Sequence, residues 1–284
     1  MNYFIPTCLL INLFLSLTSY AFDESQLLKF KVIKICKGCD LSSAVLEKLD
    51  LNNAKIININ LENANLKGVN LSKANISDGN LENINLYGAN LTKANLSKSS
   101  IKNANLDKVN FYQANLRNTN LSGSSLLGAN FEGANFQRAI LNDLDLRSVK
   151  LNNVNFRKAS LELANFEGAE LKNINFEGAN LKGANLRETS LITVNLINAN
   201  MEGVVLTNTN LSGMDLKNVN FTGANLESSN LDNANLENVN FVEANLINVS
   251  FKGANLLGAN FENAFMDGIN MCGAILPSGE EKSC

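Results

Sequence analysis

The chain has 284 residues, contains no histidine or tryptophan, and carries a formal net charge of −3. The absence of histidine excludes Ser/His/Asp and Cys/His catalytic sites and histidine-ligated metal sites. A net charge this small does not indicate a polyanionic partner. The charge is uneven, however: residues 22–118 carry 13 Lys and Arg with 9 Asp and Glu, whereas residues 200–284 carry 3 and 10. This weak polarity permits weak head-to-tail association of the molecule.

Residues 1–21 have the features of a secretory signal peptide. An apolar stretch runs from Cys8 to Leu17, and small residues follow it as far as Ala21, after which we expect cleavage. The segment before this stretch lacks the usual Lys or Arg. An uncleaved membrane anchor is therefore the alternative, although the stretch is short for a bilayer span of about 20 residues. The prediction is export to the periplasm or the medium, with no stable membrane insertion after cleavage.

Residues 22–38 fall outside the repeat that follows and are predicted to form an N-terminal cap. Their apolar side chains between Leu27 and Ile35 are numerous enough to cover the exposed first layer of a stacked structure. The secondary structure of this cap stays open. The pair Leu27 and Leu28 suits a helix, whereas the stretch from Phe30 to Ile35 partly alternates as a strand does.

From Leu41 to Leu276 every fifth residue is large and apolar, which makes 48 centres in one unbroken phase. A smaller residue, most often Ala, lies two places before each centre, and Asn directly precedes 31 of the centres, as in Ala64-Asn65-Leu66-Lys67-Gly68. Neither a helix of 3.6 residues per turn nor a strand of period two keeps this pattern on one side. A chain that bends in every unit does. Four bends would close a square coil of four units, with the centres and small residues inside.

The Asn before each centre is predicted to make the bend, because Asn tolerates left-handed backbone angles and its side chain bonds nearby backbone groups. Some units carry a bulky apolar residue at this place. Val and Ile adopt positive backbone angles poorly, so these units are expected to bend differently or to bulge. The residues concerned are Val45, Ile140, Val205, Phe265 and Ile275.

The phenylalanine centres support a coil of four units. Stacked coils would place most of them directly above one another, where their rings can pack. At about 4.8 Å per layer, 12 coils would form a rod of about 58 Å. The predicted columns are Phe111 with Phe131; Phe136, Phe156 and Phe176; and Phe221, Phe241 and Phe261, whereas Phe166 and Phe251 have no Phe one coil away.

The motif Ala-(Asn/Asp)-Leu-X-X resembles that of the pentapeptide-repeat family. The resemblance implies an all-β fold, a right-handed quadrilateral β-helix, with about 12 coils of four pentapeptides each. The beginning, from Cys36 to Ala44, and the close, from Met271 to Gly279, resemble those of exported bacterial members. The predicted organisation is a signal peptide at 1–21, a cap at 22–38, the β-helix at 39–276 and a C-terminal tail at 277–284 folded over the last coil.

Four cysteines remain once the signal peptide with Cys8 is removed. Cys36 and Cys39 lie at one end of the rod, and Cys272 and Cys284 lie at the other, so only pairs within one end are in reach. Export favours disulfides, and Cys36–Cys39 and Cys272–Cys284 are predicted as structural ones. A redox-active or zinc-binding Cys-x-x-Cys is the alternative, but it would need a flanking fold or two further ligands.

No catalytic site, cofactor or metal is expected, because carboxylates occur singly and side chains fill so narrow a coil. The first hypothesis is a non-enzymatic exported structural or interaction protein that binds an unknown protein or cell-envelope component. The family resemblance supplies an alternative, since some members mimic DNA and bind DNA gyrase in its place. The small total charge and the basic N-terminal third count against it, and nucleic acid is not an expected partner. Ice binding would need rows of Thr, which are sparse here.

Overall fold

A computed structural model describes residues 30–191 and 193–284. The predicted signal peptide and residues 22–29 of the predicted cap lie outside the described residues. Residues 30–33 are helical, and two short strands follow: β1, Ile35–Lys37, and β2, Lys55–Ile57. The two strands pair in parallel, with Cys36 opposite Ile56. Within the described ranges, no helix is long and apolar enough to cross a membrane.

The rest of the backbone is a ladder of single-residue parallel bridges between residues 20 positions apart. It runs from the pair Asp40 and Asn60 to the pair Asn255 and Ile275. Each rung has two kinds of hydrogen bond. The N–H of a centre donates to the coil that follows, as from Leu61 to the carbonyl of Asn80 at 2.7 Å, and the N–H before the centre donates to the preceding coil. Each turn of this β-helix therefore contains four of the repeated units.

The interior is filled by side chains along the ladder as far as the last coil. The large centres and the small residues two places before them form one continuous buried cluster. Ala64 and Leu66 show the arrangement in one unit, where both are 1% exposed. Because facing layers of large and small residues interlock, the core is packed rather than hollow.

The predicted phenylalanine columns are confirmed. Rings one coil apart are stacked with centroids 5.0 to 5.6 Å apart, as in the run from Phe136 through Phe156 to Phe176. The two phenylalanines without a partner one coil away pack edge-on into these columns instead. Phe166 meets Phe176 at 5.8 Å, and Phe251 meets Phe241 at the same distance. Offset and edge-to-face rings contribute beyond simple burial.

The prediction that the Asn before each centre makes the bend is wrong. The chain turns after the centre, through two residues closed by a hydrogen bond such as that from Ala64 N–H to the carbonyl of Leu61, 3.0 Å. The second of these two residues has the left-handed backbone, as in Asn63 with φ of 58° and Gly68 with φ of 65°. This is the turn class that requires positive φ at its third position. The Asn before the centre is instead the bridging residue.

The five bulky residues at the bridging position therefore cause no bulge, contrary to prediction. Each pairs with its equivalent one coil away in the same register as Asn does, as in Val45 with Asn65 and Ile140 with Asn120. A strand position accepts β-branched residues readily. What these units lose is the polar side chain on the outer surface, so that Val45 is 64% and Phe265 is 63% exposed.

The ladder begins earlier than the sequence analysis predicts. β1 lies within the predicted cap, yet it pairs with β2 in the same register as the array. Cys36, one unit before Leu41, occupies the place of a centre and is 3% exposed. Phe30, on the helical segment, is buried against the same core.

The C-terminal tail covers the last coil only in part. Glu281 pairs in antiparallel fashion with Ile275, and the N–H of Lys282 donates to the carbonyl of Ala274 at 2.8 Å. On the opposite side of this coil the core is open, since Met266 is 43% exposed. Within the described chain, the N–H groups of the last-coil centres Phe261 and Met266 donate to no backbone carbonyl.

Leu163 tests the assignment of the left-handed turn residue. It is 58% exposed and has φ of 57°, a conformation that costs an L-residue about 1 kcal/mol or more. Asn tolerates this conformation, so Leu163→Asn is expected to raise the free energy of unfolding, by about 0.5–1 kcal/mol. Urea unfolding followed by circular dichroism measures the change.

Leu127 provides the matched control, because it is 61% exposed but lies at the first turn residue, which is not among those with positive φ. Leu127→Asn is expected to change stability by less than about 0.5 kcal/mol. Equal effects of the two substitutions would contradict the assignment.

Candidate interaction surface

Three residues of every unit reach the surface of the rod. They are the bridging residue before each centre and the two turn residues after it. We number the four faces by their first centres: face 1 begins with Leu41, face 2 with Leu46, face 3 with Leu51 and face 4 with Ile56. Each face continues at every fourth centre along the chain.

The bridging asparagines form rows of bonded amides along the faces. The Oδ1 of Asn95 accepts the N–H of Ser97 at 3.2 Å and the Nδ2–H of Asn115 at 2.8 Å. Asn95 in turn donates through Nδ2 to the Oδ1 of Asn75 at 2.9 Å. This part of the Asn prediction is confirmed, since the side chain does bond the nearby backbone. The amide rows stabilise the turns and link neighbouring coils through side-chain hydrogen bonds.

Some charged turn residues pair with an opposite charge one coil away. Four ion pairs join equivalent turns of adjacent coils, and hydrogen bonding to Glu202 raises the pKa of Lys182. Hydrogen bonds from Ser100 and Lys102 lower the pKa of Glu82. Exposed pairs of this kind contribute little each to stability. The pairs are Glu82–Lys102 at 3.1 Å, Arg157–Glu177 at 2.9 Å, Lys182–Glu202 at 2.9 Å and Lys217–Glu237 at 2.8 Å.

The ladder opens at a few places, and shallow depressions lie there. Among the described bridging residues, no bridge joins Lys150 to Glu170 or Ser190 to Asn210. The depression beside them is lined by Glu170, Lys172, Ser190 and other residues of the same turns. Throughout residues 30–191 and 193–284, no three Cys, Asp or Glu side chains are grouped to hold a metal ion.

The structure brings both predicted cysteine pairs within disulfide distance. The Cα atoms of Cys36 and Cys39 are 5.9 Å apart, and those of Cys272 and Cys284 are 4.5 Å apart. The first pair joins Cys36 in β1 to Cys39, which directly precedes the bridging residue Asp40. The second pair ties the C-terminal tail to the last coil.

The pentapeptide repeat region model matches this sequence over residues 34–111, 54–131, 127–196 and 194–271, which together span most of the chain. The chain belongs to the pentapeptide-repeat family. No curated protein matches it.

Several solved pentapeptide-repeat structures are similar to this member. HetL, involved in heterocyst differentiation regulation in the cyanobacterium Nostoc sp. strain PCC 7120, is 24% identical over 83% of this chain and 92% of its own, with a TM-score of 0.24. Rfr23 from the cyanobacterium Cyanothece 51142 is 25% identical over 48% and 92%, with a TM-score of 0.22. A trypsin-treated form of QnrB1, a plasmid-mediated fluoroquinolone resistance protein, is 19% identical over 66% and 88%, with a TM-score of 0.34.

A group of positively charged residues lies close together on one edge of this pentapeptide-repeat protein, a feature that the sequence analysis missed. Five cations lie on the turns that follow face 4 in four successive coils. Their common column becomes visible only when residues are sorted by the register of the coils rather than by segments of the chain. We call these residues the basic edge: Lys98, Arg117, Arg138, Arg157 and Lys158.

Negative charge, by contrast, is spread over all four faces in the acidic C-terminal third. Of the carboxylates in this C-terminal third, three lie on face 1, two each on faces 2 and 4, one on face 3 and two in the tail. No continuous acidic face results among the described residues. By face in this order, they are Glu202, Glu243 and Glu262; Glu227 and Asp267; Asp215 and Glu237; Asp232; and Glu280 and Glu281 in the tail.

Alkylation with and without reductant tests the two cysteine pairs. The protein purified from the envelope fraction is expected to take no adduct before reduction and four adducts after it, at Cys36, Cys39, Cys272 and Cys284. Intact-protein mass spectrometry measures the count. Four adducts without reductant would contradict the disulfides. A fifth adduct after reduction would report Cys8 and hence an uncleaved N-terminal segment.

Proposed function

We propose that the chain is an exported, non-enzymatic interaction protein. Its right-handed quadrilateral rod of about 12 coils would present a rigid surface to a protein or to another component of the cell envelope. The observation that carries this proposal is the continuous packed interior, which leaves no internal cavity for a substrate among the described coils. Binding would therefore take place on the outer faces or at the ends.

Export is supported by two features of the chain. Residues 1–21 have the pattern of a signal peptide. Both cysteine pairs lie within disulfide distance, as expected for a protein of an oxidising compartment. The proposed location is the periplasm or the medium.

Gyrase binding by DNA mimicry is the rival function. A mimic must present a continuous acidic face to a groove that reads phosphates. The carboxylates of the C-terminal third are instead distributed over four faces, and Glu202 and Glu237 are paired with lysines. The interaction-protein proposal fits this distribution better.

Affinity capture tests the proposed function against its rival. The folded protein, immobilised, is expected to retain a component of solubilised envelope that the heat-unfolded protein does not retain. Repeated captures with nothing enriched over the unfolded bait would contradict the proposal. In a parallel supercoiling assay, the protein is expected to leave DNA gyrase activity unchanged, and inhibition would favour DNA mimicry.

Weak self-association is a further part of the proposal. The N-terminal third is basic and the C-terminal third acidic, and the last coil has an open core edge at Met266. Unpaired strand edges are places where chains associate. A head-to-tail contact would bring the basic end of one copy to the acidic open end of another.

Analytical sedimentation tests this contact. The protein is expected to associate at low salt and to become monomeric at about 0.5 M salt, because exposed charges are screened. The double variant Glu262→Gln, Asp267→Asn at the open end should weaken association. Its matched control is Glu132→Gln, Asp143→Asn in the middle of the rod. Monomers at all salt concentrations, or equal loss in both variants, would contradict head-to-tail contact.

A further inference from the structure

Like charges are stacked on both borders of one part of face 4, although opposite charges pair farther along the same face, as at Lys217 and Glu237. In the basic edge, Arg138 is followed one coil later by Lys158, so that like charges are stacked. The turns that lead into face 4 from face 3 repeat this pattern, with Lys73 one coil before Lys93. Like charges in adjacent positions of a sheet are destabilising. Both borders of the same face therefore carry an unfavourable stack of cations.

The cations of the basic edge lack compensation from nearby carboxylates. Among the described residues, no carboxylate lies within ion-pair distance of Lys98, Arg117, Arg138 or Lys158, whereas Arg157 is bound to Glu177. Asp78 precedes Lys98 by one coil in the same column, and Glu177 follows Arg157. The uncompensated segment is thus bounded by a carboxylate at each end.

The geometry of this segment is that of a shallow track along the rod. Successive turns in a column are about 4.8 Å apart, so the cations from Lys98 to Lys158 extend over about 14 Å. Three strand residues separate the two bordering turn columns, a width of about 10 Å. Between them lies the row of bonded amides that includes Asn95 and Asn115. The track is flat and polar, with the basic edge along one side. The other side has Lys73 and Lys93 at its start and the carboxylate of Glu132 two coils after Lys93.

These features favour one class of partner. A folded protein would be anchored by apolar and aromatic side chains in pockets, and this part of face 4 offers amides. A nucleic acid would extend beyond the track onto the acidic C-terminal third, which would repel it. A flexible chain of sugars with repeated carboxylates would place anions along the basic edge and hydroxyls over the amides. Tyr112 and Gln113, on a turn leading into the face, add a half-buried ring and an exposed amide.

We propose that face 4, from the coil of Lys73 to that of Lys158, binds an acidic polysaccharide lying along the rod axis. This inference rests on the proposed function and names the partner class and the surface for it. The like-charged stacks, unfavourable in the free protein, would be neutralised by the carboxylates of the bound glycan.

Binding of polygalacturonate to the intact protein tests the proposal, with neutral dextran as the uncharged glycan. The test variant is Arg117→Gln, Arg138→Gln, Lys158→Gln. The control variant, Lys48→Gln, Arg187→Gln, Lys252→Gln, removes the same charge from turns outside this track. Biolayer interferometry is run over a range of salt concentrations, and circular dichroism confirms that both variants are folded.

The wild type and the control are expected to bind polygalacturonate and not dextran. The test variant should bind about tenfold more weakly, with a salt dependence lower by up to about 2 in the log–log slope, since three cations are lost. Equal loss in both variants, or equal binding of dextran, would overturn the proposal. Tighter binding of poly-glutamate or of single-stranded DNA than of polygalacturonate would assign the track to another partner class.

Failure of this inference would be distinguishable from failure of the proposed function. If the envelope capture enriches a component on the wild type and on the test variant alike, the protein is an interaction module that does not use face 4. If the capture enriches nothing while polygalacturonate binds through the basic edge, the glycan inference stands and the protein component of the proposed function is rejected.

Discussion

The parallel hydrogen-bond ladder between equivalent residues of adjacent coils is the constraint on which the rest of the structure depends. It pairs most bridging residues with their counterparts on either side, as Asn60 pairs with Asp40 and Asn80. Once that register is set, every centre lies above a centre and every turn above a turn. The core, the phenylalanine columns and the amide rows all follow from the same stacking.

The ladder also determines how a surface can arise on this rod. Residues one or two units apart in the sequence lie on different faces, whereas residues four units apart lie next to each other on adjacent coils. Some charged turns meet an opposite charge on the adjacent coil, as Lys217 meets Glu237. In the basic edge only Arg157 does so, and this edge is continuous only in the stacked structure. A binding surface on such a protein is a column rather than a sequence motif, which is why local patterns say little about its partner.

The sequence-based errors concern the assignment of roles inside the five-residue unit. Asn is frequent before the centre and is common again two places after it, as at Asn63 and Asn83. The side-chain preference of Asn favours a left-handed backbone at both positions. Only the position two residues after the centre adopts it, because the position before the centre must form the bridge to the next coil. The Gly residues two places after the centre, such as Gly68 and Gly88, indicate that this position has the left-handed backbone, since Gly adopts positive φ readily.

The sequence by itself determined the coil length, the inward positions and the two cysteine pairs. An unbroken fivefold pattern with phenylalanines recurring every fourth unit can be buried in few other ways. Tertiary structure alone decided which residue of the unit turns, where the ladder begins at Cys36, and how the last coil stays partly open. It also decided which charges share an edge. These features depend on contacts between coils. Residues that form a hydrogen bond or repel each other across adjacent coils are far apart in the sequence, so a short stretch of sequence does not reveal the contact.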